Sequence, residues 1–314
     1  MMHLVTGVAG FIGSNLAKEL LKRGDQVIGV DCFTDYYARG LKEENLAAIK
    51  GDDNFEFLEA DLLELDLIEL LDGVDYVYHQ AAQAGVRASW GKTFDIYTDN
   101  NIRATQQLLE AARESTVKKI VYASSSSVYG DTDQLPMKEG NYLQPVSPYG
   151  VSKLAAEHLC YLYWKNFNVP TVSLRYFTVY GERQRPDMAF HIFIKAILTG
   201  SAITVFGDGR QSRNFTHVSD IVQANILAAE NSISGEVFNI GGDGEGIILN
   251  DSIKMMADII GKKAEIVYQA AAKGDVKHTS ADCQKARELL GYEPEMDFKE
   301  GLIREIAYLK KIYS

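Results

Sequence analysis

The chain has 314 residues, 46% hydrophobic and 24% charged, with a formal net charge of −11. That is the composition of an ordinary soluble globule, long enough to bury a large core in one big domain or two interleaved ones, and too acidic to suggest a nucleic-acid surface. Cys32, Cys160 and Cys283 are too few and too far apart for a disulfide framework or a metal site, and no apolar run reaches membrane-spanning length. A strand beginning at residue 3 is expected to leave no room for a leader, so a reducing cytoplasm is the expected compartment.

Leu4-Val5-Thr6 reads as a short apolar strand, and Gly7-Val8-Ala9-Gly10-Phe11-Ile12-Gly13 follows it directly. Ser14 to Arg23 continues as an amphipathic helix with Leu16, Leu20 and Leu21 on its apolar side. Strand, glycine loop and helix in this order make a phosphate-binding turn, in which the backbone approaches a pyrophosphate lying on the positive end of the helix. The spacing is G-x-x-G-x-x-G, so the loop alone is a weak signal. A second strand, Val27 to Asp31, strengthens it, because Asp31 lies 24 residues beyond Gly7. An acid at about that distance grips a ribose 2′-hydroxyl and repels a 2′-phosphate, which predicts NAD rather than NADP.

Two further strand ends fit the same sheet. Phe55 to Ala60 runs into Asp61-Leu62, and Tyr76-Val77-Tyr78 runs into His79-Gln80-Ala81-Ala82, where small residues let backbone approach a cofactor. His79 has no ligand partner at useful spacing and reads as a packing or hydrogen-bonding histidine. Asn101 to Glu114 is expected to be helical. Lys119 to Ala123 reads as a buried strand that ends in Ser124 to Ser127, hydroxyls placed where an α/β sheet forms its ligand crevice.

Ser147-Pro148-Tyr149-Gly150-Val151-Ser152-Lys153 opens the next helix, expected to run from Pro148 to Asn166. Ser147 suits the N-cap and Pro148 the first helical position. Tyr149 and Lys153 then lie one turn apart on one face, where an ammonium is expected to pull the phenol pKa down and make it a general base.

Thr171 to Tyr176 reads as another buried strand, and beyond it the alternation becomes irregular. Helices are expected at Phe190 to Thr199, Asp251 to Gly261, Asp282 to Leu290 and Phe298 to Ile312. In so acidic a chain an anionic ligand needs a local basic cluster, and Arg183, Arg185, Arg210 and Arg213 offer one. The expected architecture is α/β: a Rossmann-like doubly wound parallel sheet with a smaller mixed α/β C-terminal substrate-binding lobe.

Taken together, the glycine loop, Asp31, Asp61-Leu62, the serine run, the Tyr149/Lys153 pair and Arg175-Tyr176-Phe177 resemble the extended short-chain dehydrogenase/reductase superfamily. More narrowly they resemble its NAD-dependent nucleotide-sugar epimerase branch. The resemblance implies a catalytic triad of Ser125, Tyr149 and Lys153. It implies a cofactor site of Gly7, Gly10, Phe11, Ile12, Gly13, Asp31, Asp61, Leu62, Gln80, Ala81, Ala82, Asn101 and Tyr176, to which Tyr149 and Lys153 also belong.

The stretches Phe177 to Phe190 and Gln83 to Arg87 look most like those of UDP-glucuronic acid 4-epimerases. Thr178 stands where UDP-glucose 4-epimerases typically carry Asn, and Ser126-Ser127 stand where dehydratases need an Asp-Glu pair. Arg87, Ser125, Ser126, Ser127, Thr178, Arg185, Val205, Gln211 and Arg213 are therefore the expected UDP-sugar contacts, with Arg213 on the diphosphate. Ala272 and Lys273 replace an arginine that many relatives use near Gly274-Asp275.

By the same resemblance, residues 1–176 form the NAD-binding domain, segments near 214–242 return to it, and 177–314 form mainly the sugar-nucleotide lobe. The long helices at 101–114 and 148–166 would pair across a two-fold axis in a homodimer. UDP-glucose 4-epimerase, UDP-glucuronate decarboxylase and a non-catalytic NAD-binding protein stand as the other readings.

Overall fold

A seven-stranded sheet organises the chain, and its C-terminal edge sets the position of everything functional. The computed structural model describes residues 1–244, 246–270 and 276–313; Ala272 and Lys273 lie outside the described residues. The strands are β1 (Met2–Thr6), β2 (Gln26–Asp31), β3 (Phe55–Glu59), β4 (Tyr76–His79), β5 (Lys119–Ser125), β6 (Thr171–Tyr176) and, later in the chain, Glu236–Ile240. Counting β7 (Val179–Tyr180), β8 (Ile203–Phe206), β9 (Ser212–Arg213) and β10 (Thr216–His217) between them, that last sheet strand is β11.

The sheet order is β11-β6-β5-β4-β1-β2-β3 and every pairing is parallel. Parallel strands need crossovers, and helices accordingly cover both faces. On one face α1 (Phe11–Lys22) and α8 (Val218–Glu230) bury Leu16, Leu20, Ile221 and Val222 in one cluster with Val5, Val121 and Leu174. On the other, α5 (Ala104–Ala112) and α6 (Pro148–Phe167) bury Leu108, Leu109, Ala156 and Cys160 with Leu4, Val77 and Ile120. Strands β5 and β6 are buried at every residue, which is why they carry near-continuous runs instead of alternation.

Helices α2 (Arg39–Ala47), α3 (Leu67–Leu70) and α4 (Phe94–Tyr97) complete this half. The segment expected to be helical from Asn101 starts earlier. It begins with α4 and passes through a π-helical stretch, Thr98–Arg103, before α5. The wider turn points the Asn101 amide inward, where it binds both Gln83 backbone groups, at 2.7 and 3.0 Å, and Ser152 Oγ at 2.8 Å.

The lobe has its own core. Helices α7 (Ala189–Thr199), α9 (Leu249–Ile260) and, past α10 (Gln284–Leu290), α11 (Phe298–Tyr313) bury Phe193, Ile194, Ile253, Met256, Leu302 and Ile306 together. Three short pairings trim it: β7 with β10, β9 with β12 (Ile247–Ile248), and β8 with β13 (Ile266–Gln269).

Candidate active site

A cavity opens at the C-terminal ends of the strands, where the order turns from β1 to β4. Crevices in doubly wound sheets form there because the crossovers on the two sides diverge to opposite faces. Gly7, Gly10, Phe11, Ile12 and Gly13 form one wall. Gly7 has a left-handed φ of +67°, and a Cβ there would come within 2.8 Å of the Ala81 backbone, so only glycine fits. Gly10 caps α1 with no side-chain hydrogen bond, leaving the first amide N–H groups and the positive helix end for a ligand anion.

The opposite wall is fixed by a buried relay. Thr105 Oγ1 donates to Asn101 O at 2.7 Å and so accepts from His79 Nε2 at 3.0 Å. His79 Nδ1 then accepts from Thr6 Oγ1 at 2.8 Å, and that hydroxyl accepts the Ala81 N–H at 3.2 Å. Burial, and then the charge of Lys153, push His79 down to about 3, so it stays neutral and structural. Ala81 and its neighbours Gln80 and Ala82 line the cavity. Tyr176 is held at its rim by Gln80 at 3.1 Å and Asn225 at 2.8 Å.

Asp31 ends β2 on the cavity wall, beside Asp61 and Leu62. Its carboxylate accepts the Phe33 N–H at 2.9 Å and the Ala9 N–H at 3.0 Å, which leaves lone pairs for a hydroxyl donor. Burial raises its pKa, opposed by those two bonds and by the charge of Lys42.

Ser147 Oγ caps α6 by accepting the Gly150 N–H at 3.1 Å, with Pro148 in the first turn. Such a cap is worth about 1 kcal/mol. A Cβ on Gly150 would come within 2.6 Å of Ser127 O, so glycine lets the helix start rest directly on the serine loop. That contact brings Tyr149 to Ser125, whose hydroxyl favours the ionised phenol. The Tyr149 ring stands edge-on to Tyr97 with centroids 6.4 Å apart.

The electrostatics differ from the expectation. Lys153 Nζ donates to Ala123 O at 2.7 Å and lies 5.0 Å from the Tyr122 ring centroid. Burial lowers its pKa to about 7, so it is a weaker cation than an exposed lysine. Tyr149 is itself raised by burial, and the charge that opposes this is Arg185, with Ser125 adding its hydrogen bond. One helical turn put Lys153 on the right face, but the β5 carbonyl captured the ammonium.

Arg185 reaches the cavity, while the other three arginines do not join it as one cluster. Arg183 is buried at a left-handed φ of +68°, and its guanidinium donates to Ser14 O at 3.1 Å, where it docks the loop onto α1. Arg213 donates to the carbonyls of Ser212, Val276 and Lys277. Arg210 is exposed.

A second group lies off the cavity wall. The Arg87 guanidinium sits 4.3 Å from the Phe206 ring centroid, and Gln211 Nε2 donates to Phe206 O at 3.0 Å. Val205 is buried within β8, opposite Tyr268 of β13. Ser126 and Ser127 follow Ser125 in a 3-10 turn, in which Ser127 N–H donates to Ser125 Oγ at 3.1 Å. Thr178 lies between β6 and β7, and its carbonyl accepts the Thr216 N–H at 3.0 Å.

Behind the site, Glu157 takes the Arg175 guanidinium at 2.6 and 3.0 Å and the Ser124 hydroxyl at 2.6 Å, all buried. The pair joins α6 to β5 and β6 one turn beyond Lys153.

Ser124, Gln83 and Ala84, from stretches the sequence singled out, line the cavity, which also has walls the motif reading missed: Cys32, Thr34, Tyr36, Tyr37, Lys42 and Asn100. Most follow a strand end, which is the one signal that could have marked them. Asn101 and Ser125 are not on this wall; Asn101 acts from beneath it through Gln83. The glycine cradle, the uncapped helix end and Asp31 suit a dinucleotide.

Residues 3–241 match the NAD dependent epimerase/dehydratase family. Over 315 residues the chain is 46% identical to the uncharacterized UDP-glucose epimerase YtcB of Bacillus subtilis (strain 168), covering 100% of this chain and 99% of that one. It is 40% identical over 312 residues to the UDP-glucuronate 4-epimerase of Thermodesulfobacterium geofontis (strain OPF15), covering 98% and 96%. The crystal structure of UDP-glucuronic acid 4-epimerase from Bacillus cereus in complex with UDP-glucuronic acid and NAD superposes with a TM-score of 0.96, at 46% identity and 100% coverage of both chains.

Proposed function

Because the chain belongs to the NAD-dependent epimerase/dehydratase family, we propose that it inverts C4 of a UDP-sugar, converting UDP-glucuronic acid to UDP-galacturonic acid. The observation that carries this reading is the half-buried Tyr149 phenol on the wall of a dinucleotide cavity, with Arg185 and Ser125 both favouring its ionised form. When bound there, NAD supplies a hydride acceptor at C4 and afterwards the donor for the opposite face.

Tyr149 takes the proton of the sugar 4-hydroxyl and later returns it. Ser125 donates to the phenolate, and Lys153, on the same wall, is assigned the nicotinamide ribose. Gly7, Gly10 and Gly13 keep the loop clear of side chains so that the pyrophosphate can approach the open amide N–H groups at the start of α1, and Asp31 takes the adenosine ribose. Asn101 keeps the Gln83 loop in place beneath.

A 4-keto uronate is a β-keto acid, which loses CO₂ when the bond to its carboxylate stands perpendicular to the carbonyl plane. Ser126, Ser127 and Thr178 are assigned to hold that carboxylate away from this alignment, with the Arg185 charge beside it. Arg87, Val205, Gln211 and Arg213 are assigned to the nucleotide end.

The assignment extends to a cytoplasmic homodimer. Val151, Tyr161, Leu162 and Phe167 are exposed on α6, which supports a partner there, and all three cysteines are free thiols. Sedimentation of the purified protein as a monomer at micromolar concentration would remove the dimer.

The decisive experiment is incubation of the purified protein with UDP-glucuronic acid and no added NAD, followed by identification of the sugars formed. UDP-galacturonic acid is the expected product. The name carried by the Bacillus subtilis relative favours UDP-glucose as a second substrate to test in parallel. Preferential turnover of UDP-glucose, or UDP-xylose as the main product from the uronate, would overturn the proposal.

A further inference from the structure

Three loops converge over the cavity and are fastened to one another by side chains. Thr34, Tyr36 and Tyr37 follow β2, Gln83 and Ala84 follow β4, and Arg185 follows β7, and all line the cavity. The Tyr36 hydroxyl donates to Asp187 Oδ2 at 3.1 Å. Asp187 in turn receives the Arg185 guanidinium on both oxygens, at 3.0 and 3.1 Å, and that guanidinium lies 6.0 Å from the Tyr36 ring centroid.

The same tyrosine touches the third loop. A Cβ on Gly85 would come within 2.2 Å of the Tyr36 hydroxyl, at a φ of +102°. Gly85 O and Ala84 O both accept from the Tyr97 hydroxyl at 2.9 Å, which anchors that loop from beneath. Burial works against the Asp187 carboxylate, but the charge of Arg185 and the bonds from Arg185 and Tyr36 hold it below the ordinary range. It therefore stays an acceptor at neutral pH.

We propose that Tyr36 is a positioning residue that closes the cofactor cavity by fastening the loop after β2 to Asp187, and so retains NAD between turnovers. The inference rests on the epimerase reading above. An epimerase regenerates its cofactor within each cycle, and reduced cofactor lost midway would strand an oxidised sugar. Slow cofactor exchange is thus a requirement of the chemistry, and opening this side of the cavity means parting the Tyr36–Asp187 hydrogen bond. The ion pair also makes that acceptor charged, so the bond belongs to the stronger class of hydrogen bonds.

The test is exchange of bound cofactor in the holoprotein. Protein carrying radiolabelled NAD⁺ is chased with excess unlabelled NAD⁺, and the retained label is followed by rapid desalting. Tyr36→Phe keeps the ring and removes only the donor, and it should release label about tenfold faster or more. Asp187→Asn should do likewise, and the double variant should be no faster than the faster single one, because both changes break the same contact.

Wild-type protein that retains NAD while Tyr36→Phe exchanges at the wild-type rate overturns the inference and leaves the epimerase reading standing. Rates that multiply in the double variant also overturn it, since the two residues would then act separately. Wild-type protein that neither retains nor binds NAD defeats the epimerase reading itself, and this inference with it.

Discussion

Lys153 Nζ donates to the Ala123 carbonyl of β5 at 2.7 Å, although one helical turn separates it from the phenol of Tyr149. Its pKa, lowered by burial to about 7, makes a stability prediction for the cofactor-free protein. Between about pH 7 and the unfolded lysine value of about 10.4 the unfolded chain holds more protons at this site, so its contribution to stability rises with pH through that window. The slope for one such group is at most about 1.4 kcal/mol per pH unit. Urea unfolding at pH 7, 8 and 9 should show a shallower rise for Lys153→Met than for wild type; parallel curves would mean an ordinary, solvated ammonium.

Tyr149→Phe keeps the ring that stands against Tyr97 and removes the proton-transfer group. We expect kcat to fall about 10²–10⁴-fold, the usual contribution of a positioned acid–base group. NAD content after purification should be unchanged. Near wild-type turnover would remove Tyr149 from the mechanism.

Asp31 bears on the choice between NAD and NADP. NAD is expected to be the nucleotide released on denaturation, because the carboxylate repels a 2′-phosphate. Asp31→Ala should narrow the NAD over NADP binding ratio, measured by titration into stripped protein. It should also lower stability, since the Ala9 and Phe33 N–H groups lose their acceptor. A ratio unchanged from wild type would place the ribose elsewhere.

The uronate reading predicts a leak. Thr178→Val or Arg185→Ala should loosen the carboxylate more than it weakens binding, so that CO₂ escapes and a UDP-pentose accumulates. The wild type should handle UDP-glucose poorly, because hydroxyls shaped for an anion would be left unpaired. Carbon dioxide release from carboxyl-labelled substrate is the direct measurement. No release from either variant would take the carboxylate away from these residues.

Glu157 and Arg175 form a buried ion pair, with side chains 4% and 3% exposed. Removing one partner strands the other, which costs about 3–5 kcal/mol. Glu157→Ala should lose that much in chemical denaturation. The Glu157→Ala/Arg175→Met double variant should lose less than the sum of its singles. Simple additivity would show that the pair is not a unit.

Much of this protein was already determined by local sequence. The glycine loop, the acid ending β2 and the Ser147-Pro148 start of α6 are short-range devices whose geometry depends on neighbours a few residues away. The alternation of strands and helices was legible for the same reason, and with it the Rossmann-like sheet. Tertiary structure alone decided what each polar group meets. Arg183 and Arg185 stand two positions apart in an irregular segment, yet one is spent on Ser14 O and the other lines the cavity. Asn101 faces inward only because the helix widens at that point. Tyr36 belongs to none of the sequence motifs, and its importance comes from Asp187, 151 residues away. A sequence states which charges and donors exist, but their partners and their desolvation are set by contacts across the sheet, so the Tyr149/Lys153 spacing predicted a shared face and missed its electrostatics.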